Sequence, residues 1–196
     1  EEFKKLYEKY EKDTKIKKKT LPAMELFSAL VKERAETGRI YIMNVDHANT
    51  HSSFKDTVYM SNLCQEITLP TKPLQHIDDE QGEIALCILS AINVGVIKEL
   101  DDLEELCDLA VRALDEIIDY QKYPVRAAEI STKARRSLGV GYIGLAHYLA
   151  KNQVMYGDKK ALTLVHRLTE AFQYNLLKAS LNLAKEKGKC DGFDRT

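Results

Sequence analysis

The stretch from Asp101 to Tyr120 is the feature that most restricts how this chain can fold. Its apolar residues recur at spacings of three and four, which places them on one face of an α-helix. Asp101 or Asp102 can cap the start of this helix. Cys107 lies beside the apolar stripe, so we expect it to pack as a small apolar side chain. The apolar positions are Leu103, Leu106, Leu109, Ala110, Ala113, Leu114, Ile117 and Ile118.

Two further segments have the apolar spacing and the end signals of helices. Pro22 opens a run that ends at Gly38. A longer pattern begins at Asp158 and continues to about Lys187, where a glycine stops it. The first twenty residues are highly charged, and the run from Lys15 to Lys19 within them is interpreted as a solvated segment.

Short strand-like segments lie between these helices. Residues 39–43 are β-branched and aromatic and predict a strand, and the polar residues 44–51 after them predict a loop. An apolar run over 84–97 and the glycine-containing stretch 135–144 predict further strands or turns, the second of which leads into a helix ending near Lys151. Because helices alternate with short strands, the sequence predicts an α/β fold whose strands run parallel.

Charge and composition exclude several classes of protein. With 29 Lys and Arg against 30 Asp and Glu, the net charge of −1 gives no general attraction to nucleic acid or to an acidic membrane. No run approaches the roughly 20 apolar residues that cross a bilayer, and the first residues lack the features of a secretion signal. The four cysteines show no CxxC spacing. We therefore expect a cytoplasmic protein whose cysteines stay reduced unless its chemistry oxidises them.

The stretch from Ser61 to Ile67 carries the residues most suited to chemistry. If it is extended, Asn62, Cys64 and Glu66 point to one face, because side chains of a strand alternate. An amide, a thiol and a carboxylate then lie within ~13 Å at ~3.3 Å per residue. A carboxylate beside an apolar strand costs desolvation unless it has a partner or a task. Taken alone, the pattern also fits a plain strand with one buried thiol and a polar edge, and both interpretations stay open.

The sequence Ser-Asn-Leu-Cys-Gln-Glu-Ile at 61–67 is similar to the finger-loop motif of class I ribonucleotide reductase large subunits. Other stretches resemble the same family and follow its order between about residues 37 and 188. The resemblance implies an incomplete ten-stranded α/β barrel with the finger loop inside it, in which residues 1–38 lead into the barrel and residues 39–196 form part of it. The further matches are Asn44-Val-Asp-His47, Asn49-Thr-His51, Leu69-Pro-Thr-Lys-Pro73, Gly82-Glu-Ile-Ala-Leu-Cys87, Tyr120-Gln-Lys-Tyr-Pro124 and Arg135-Arg-Ser-Leu-Gly-Val-Gly141.

The resemblance also implies a role for each candidate site residue. Cys64 would become a thiyl radical that removes the 3′-hydrogen of a bound ribonucleoside diphosphate. Glu66 would act as the general base on the 3′-hydroxyl, and Asn62 would hydrogen-bond the same region of the sugar. Cys87 would be one of two cysteines that supply a proton and reducing equivalents as the 2′-hydroxyl leaves as water.

Several partners follow from the resemblance. A metal-containing small subunit would supply the radical, and thioredoxin or glutaredoxin would reduce the cysteine pair again. No cofactor is expected to bind to this chain itself. The second cysteine of the pair, the regulatory nucleotide-binding regions, the phosphate-binding loop, the radical-relay tyrosines and the C-terminal cysteines have no counterpart in this sequence. We therefore expect a piece that needs the remaining segments of the large subunit and does not turn over alone.

Two other hypotheses remain. Asp46, His47 and His51 could hold a metal ion, although the HxxxH spacing is a weak signal in a predicted loop, and these histidines would otherwise brace the finger loop. The chain could instead be a non-catalytic assembly fragment of a split reductase large subunit, whose helices at 101–120 and 158–187 dock onto another chain. Such a module would not depend on Cys64.

Overall fold

The computed structural model describes residues 2–196, in two compact units of which the first ends at Ile42 and the second spans Met43–Thr196. The first unit contains helix α1 (Glu2–Lys12) and helix α2 (Ala23–Thr37). All residues of α1 are exposed, and its helical structure was not predicted. Residues 15–19, predicted to be solvated, are exposed. Helix α2 was predicted, and it ends at Gly38, whose φ of 66° lies in the left-handed region where glycine is favoured.

The second unit alternates helices with two strands. β1 and β2 pair in parallel with Ile88 opposite Leu138, and two helices connect them. The predicted α/β fold with parallel strands is therefore confirmed. The sheet formed within residues 2–196 is small and not closed, as a partial α/β barrel requires. The elements are α3 (Val45–Thr50), β1 (Ile88–Asn93), α4 (Asp102–Tyr120), α5 (Arg126–Arg135), β2 (Leu138–Ile143), α6 (Leu145–Lys151), α7 (Lys159–Lys187) and a 3-10 turn (Phe193–Arg195).

The two faces of the sheet differ. On one face Ile92, Val140 and Tyr142 pack against the core that α4, α6 and α7 complete. On the other face Leu89 and Ile143 are exposed. We call this second side the open face of the sheet. The buried core consists of Val94, Ile97, Leu103, Cys107, Tyr148, Leu168 and Phe172.

Cys107 packs in this core, as predicted. Its side chain has no exposed surface, and burial raises the pKa of its thiol to about 11. Helix α4 buries one face against α7 and the sheet, including Leu103, Leu114 and Ile118 of the predicted stripe. The predicted stripe is partly wrong, because Leu109, Ala113 and Ile117 are exposed. No helix within residues 2–196 is long and apolar enough to span a membrane.

The predicted side-chain cap of α4 is not formed. Asp101 precedes the helix but its side chain caps nothing. Asp102 instead accepts hydrogen bonds from the N–H groups of Lys98 (2.9 Å) and Glu99 (3.2 Å). The carboxylate therefore holds the turn that leads into the helix.

Two predictions before the finger loop were wrong. Residues 39–43 do not form a strand, and residues 44–51 contain helix α3 rather than a loop. Asn49 explains this helix: its Nδ2 donates to the carbonyl of Val58 (2.8 Å) and its Oδ1 accepts from the N–H of Val58 (2.8 Å). A short polar helix is thereby held by a contact nine residues away, which local periodicity cannot reveal.

Candidate active site

The finger loop, residues 61–67, folds as a tight turn. The N–H of Gln65 donates to the carbonyl of Asn62 (3.1 Å), and Gln65 has a φ of 62°. The Oδ1 of Asn62 accepts from the N–H of Ile67 (3.0 Å), and the hydroxyl of Ser61 donates to the carbonyl of Ile67 (2.7 Å). The predicted extended conformation is therefore wrong, because bonds across the turn replace the alternation of a strand.

Cys64 lies in this turn with its thiol unpaired and exposed. Its neighbour Leu63 is 77% exposed, so neither side of the turn tip is covered within the residues described here. The alternative of a plain strand with one buried thiol does not hold. The backbone of Gln65 helps to expose Cys64. A non-glycine residue in the left-handed region costs ~1–2 kcal/mol of conformational energy, so it persists only where the surrounding structure holds it.

Glu66 and Cys87 lie together on a groove along the open face of the sheet. Cys87 directly precedes β1, on the same side of the chain as Leu89, and is half-buried. Burial raises the pKa of the Cys87 thiol, and the negative charge of Glu66 raises it further. Phe54 and Ile67 also line this groove. The groove thus brings Glu66 of the finger loop near Cys87 at the start of the sheet.

The four predicted site residues do not all share this groove. Cys64 does not line it among the residues described. Asn62 lines a neighbouring, more apolar groove with Met60 and Leu74. Glu66 and Cys87 are therefore brought together, whereas Asn62 and Cys64 sit beside them on the turn.

A buried ion cluster supports both sides of the groove. Arg135 donates from Nη2 to Glu83 (2.8 Å) and to Asp56 (2.9 Å). The other oxygen of Glu83 binds Lys72 (2.8 Å) and Arg195 (2.9 Å). Because a buried guanidinium is costly without carboxylate partners, these bonds fix the segments that they join. The cluster links the chain before the finger loop, the chain before Cys87 and the end of α5.

The carboxylates of this cluster are charged at neutral pH. Burial acts to raise the pKa of Glu83, but hydrogen bonds from Lys72, Arg135 and Arg195 outweigh it and hold the pKa at about 2. The hydrogen bond from Arg135 likewise lowers the pKa of Asp56. Sequence reasoning assigned no role to these residues, although Glu83 and Arg135 lie within matched motifs. A single charge gives no sequence signal of burial, because most charged residues lie on solvated faces.

His47 lies on α3 and His51 directly follows this helix. Their rings lie 6.3 Å apart, and the Nδ1 of His51 lies 3.1 Å from the carbonyl of His47. Across residues 2–196, no three His, Cys, Asp or Glu side chains are grouped so that they could hold a metal ion. Asn49, rather than either histidine, makes the contact that braces the segment before the finger loop.

The two parallel strands, covered by helices on one face, have the α/β arrangement from which α/β barrels are built. The family model described as ribonucleotide reductase, barrel domain, matches residues 1–196. The chain belongs to this family.

Curated relatives agree with the family match. The chain is 62% identical to the ribonucleoside-diphosphate reductase subunit alpha of Haemophilus influenzae and 58% identical to the ribonucleoside-diphosphate reductase 1 subunit alpha of Escherichia coli (strain K12), each over 199 residues and all of this chain. It is 44% identical to the subunit alpha of Enterobacteria phage T4 over 99% of the chain. In each case the match covers 26% of the relative. The chain therefore spans about a quarter of the length of these relatives.

Proposed function

We propose that this chain forms part of the active site of a ribonucleoside-diphosphate reductase, which converts ribonucleoside diphosphates into 2′-deoxyribonucleotides for DNA synthesis. The observation that carries the proposal is the pairing of Glu66 and Cys87 on one groove, next to the turn that presents Cys64. Residues 39–196 would supply the barrel part and residues 1–38 would lead into it.

Cys64 is the residue that starts the reaction. As a thiyl radical it takes a hydrogen atom from C3′ of the ribose, which leaves a carbon radical on the sugar and a thiol on Cys64. The hydrogen returns to C3′ at the end of the cycle, so Cys64 is not consumed. A metal-containing centre in a separate small subunit supplies the oxidising equivalent. Support comes from the exposure of the thiol, because a thiol that attacks a substrate must be reachable.

Glu66 and Asn62 act on the oxygen at C3′. Glu66 accepts the proton of the 3′-hydroxyl, which favours loss of the neighbouring hydroxyl from the sugar radical. Asn62 has its Oδ1 engaged with the N–H of Ile67. Its Nδ2 group is the part of the amide that can donate to a sugar oxygen, and the bond to Ile67 fixes its direction.

Cys87 provides reducing equivalents. The 2′-hydroxyl leaves as water and C2′ gains a hydrogen, while Cys87 and a second cysteine outside this sequence lose two electrons and two protons and close a disulfide. The raised pKa of Cys87 keeps the thiol protonated at neutral pH, so that it holds the proton it must give. Thioredoxin or glutaredoxin then reduces the disulfide by thiol exchange.

The test uses the complete subunit that contains this sequence, with the radical subunit, CDP and a dithiol. Conversion of CDP to dCDP is measured for the wild type, for Cys64→Ser and for the control Cys190→Ser. We expect Cys64→Ser to abolish turnover and Cys190→Ser to retain it, since the thiol of Cys190 donates to the carbonyl of Arg135 (3.7 Å) and does not line the groove of Glu66 and Cys87. Equal rates for Cys64→Ser and the wild type would refute the thiyl assignment. No turnover in any protein would favour the non-catalytic assembly role, in which α4 and α7 dock onto another chain.

A further inference from the structure

Gly139 lies on β2 beside the thiol of Cys87. In the register of the two strands Gly139 is directly opposite Leu89. A Cβ built on Gly139 would lie 3.0 Å from the Sγ of Cys87 and 2.5 Å from the Cδ2 of Leu89. Both distances are shorter than ordinary van der Waals contact. Any side chain at position 139 must therefore displace one or both of these groups.

The backbone does not require glycine at this position. Gly139 is not among the residues with positive φ, so an ordinary amino acid can adopt its conformation. Glycine inside a strand weakens it, because the residue loses more conformational freedom and packs no side chain. Position 139 therefore favours glycine because a side chain has no room there, and not because the backbone needs a positive φ.

The two neighbours of the missing Cβ differ in how easily they can move. Leu89 is 56% exposed, so its side chain can rotate into open space. Cys87 is half-buried beside Glu66 and Ile67, and its short side chain can only change position by rotating about one bond. A Cβ at position 139 therefore acts mainly on the thiol.

Gly141 provides a matched comparison on the same strand. It lies two residues further along β2 and so on the same face as Gly139. A Cβ built on Gly141 meets nothing within 4 Å. The two glycines share strand, face and residue type, and differ in their closeness to Cys87 and Leu89.

We infer that Gly139 is a positioning residue, whose lack of a side chain sets the place of the Cys87 thiol on the open face. This inference rests on the proposed function in so far as Cys87 is the thiol that forms a disulfide. Disulfide formation depends on sulfur position, since the Cβ atoms of the two cysteines must approach to about 3.5–4.5 Å with a narrow range of dihedral angles. A thiol turned away by an extra methyl group would miss this geometry.

The test compares Gly139→Ala with Gly141→Ala in the complete subunit. Two quantities are measured: the rate of CDP reduction with a dithiol, and the rate at which iodoacetamide modifies Cys87 in the native protein, followed by mass spectrometry. For Gly139→Ala we expect at least a tenfold loss of turnover and a severalfold change in the alkylation rate of Cys87. For Gly141→Ala we expect both quantities to stay within twofold of the wild type. A second variant, Gly139→Ala with Leu89→Ala, removes the 2.5 Å contact and leaves only the contact with Cys87, so it should fold and keep both effects.

Several outcomes would overturn the inference. One is that Gly139→Ala matches Gly141→Ala in both measurements. Another is a loss of turnover with an unchanged alkylation rate, which would mean that the effect does not pass through Cys87. A third is recovery of both quantities in the double variant, which would assign the effect to Leu89. The proposed function is tested separately, and it fails if Cys87→Ser reduces CDP as fast as the wild type. In that case a changed alkylation rate of Cys87 in Gly139→Ala would still establish the positioning role of Gly139.

Discussion

Arg135 and Glu83 form a nearly enclosed ion pair, in which the Nε and Nη2 atoms of Arg135 lie 3.0 and 2.8 Å from one carboxylate oxygen of Glu83. The two side chains are 4% and 8% exposed. Removing one partner of a buried pair leaves the other charge uncompensated, at a cost of roughly 3–5 kcal/mol. We expect Glu83→Gln to lower the free energy of unfolding by about 3 kcal/mol, measured by chemical denaturation.

Glu104→Gln is the control for this prediction. Glu104 binds Lys178 at 2.6 Å, but its side chain is 64% exposed. Exposed pairs contribute about 0–1 kcal/mol, so this variant should be close to the wild type. If Glu83→Gln lowered the free energy of unfolding as little as Glu104→Gln, the buried ion cluster would have no stabilising role.

Acid should destabilise the fold through the same carboxylate. The pKa of Glu83 is lowered from 4.5 to about 2 in the folded state. Its contribution to the free energy of unfolding is therefore complete above about pH 4.5 and is lost as the pH falls towards 2. A pKa difference of this size corresponds to ~3 kcal/mol. The free energy of unfolding should therefore fall more steeply between pH 5 and pH 2 in the wild type than in Glu83→Gln, when both are measured by urea denaturation at each pH. Parallel curves would show that another group controls the acid response.

The charge of Glu66 should control the titration of Cys87. Since a negative charge disfavours a nearby thiolate, Glu66→Gln should lower the pKa of Cys87. The measurement is the alkylation rate of Cys87 as a function of pH, whose midpoint should move to lower pH. Glu80→Gln, which removes an exposed carboxylate bound to Arg126, should leave the midpoint in place. An unchanged midpoint in Glu66→Gln would show that the charge of Glu66 does not affect the pKa of Cys87.

The cysteines should differ strongly in accessibility to reagents. Cys64 is exposed, whereas Cys107 is fully buried and has a pKa of about 11. Limited treatment of the native protein with iodoacetamide should modify Cys64 first and leave Cys107 intact until the protein is unfolded. Modification of Cys107 at the rate of Cys64 would mean that the core around α4 opens readily.

The side chain of Asn62 should stabilise the turn independently of any substrate. Asn62→Ala removes the acceptor for the N–H of Ile67, a bond worth about 1 kcal/mol, and should speed hydrogen exchange at that amide. Asn62→Asp keeps an oxygen at the same place and should retain the protection. If exchange at Ile67 is the same in all three proteins, the amide of Asn62 has no structural role in the turn.

The elements that sequence predicted correctly are those with a strong apolar stripe or a clear end signal. Helix α4 was predicted as a helix, although only part of its predicted stripe is buried, and α7 ends before Gly188 as expected. Helix α5 was missed because its buried face consists of small and polar residues, which give little hydrophobic contrast. These residues are Ala127, Ala128, Ser131, Thr132 and Arg135.

The geometry of the site was less predictable than its residue types. Alternation in the finger loop suggested a strand, but side-chain bonds from Ser61 and Asn62 to Ile67 and a backbone bond from Gln65 hold a turn. The proximity of Glu66 to Cys87, like the bond between Asn49 and Val58, is a tertiary relationship. Motif resemblance named the residues, and only three-dimensional structure could show which of them lie together.

The ion cluster also has a consequence for the order in which the chain folds. Glu83 and Arg195 are separated by 112 residues, and Arg135 lies between them. During synthesis the strands and most of the core leave the ribosome before Arg195 does, so Glu83 must wait with one cationic partner missing. Helices and the parallel strand pair can form in that interval, but the support beneath the groove stays incomplete. We therefore expect the segments that carry Cys64 and Cys87 to reach a fixed arrangement only after Arg195 has joined the cluster.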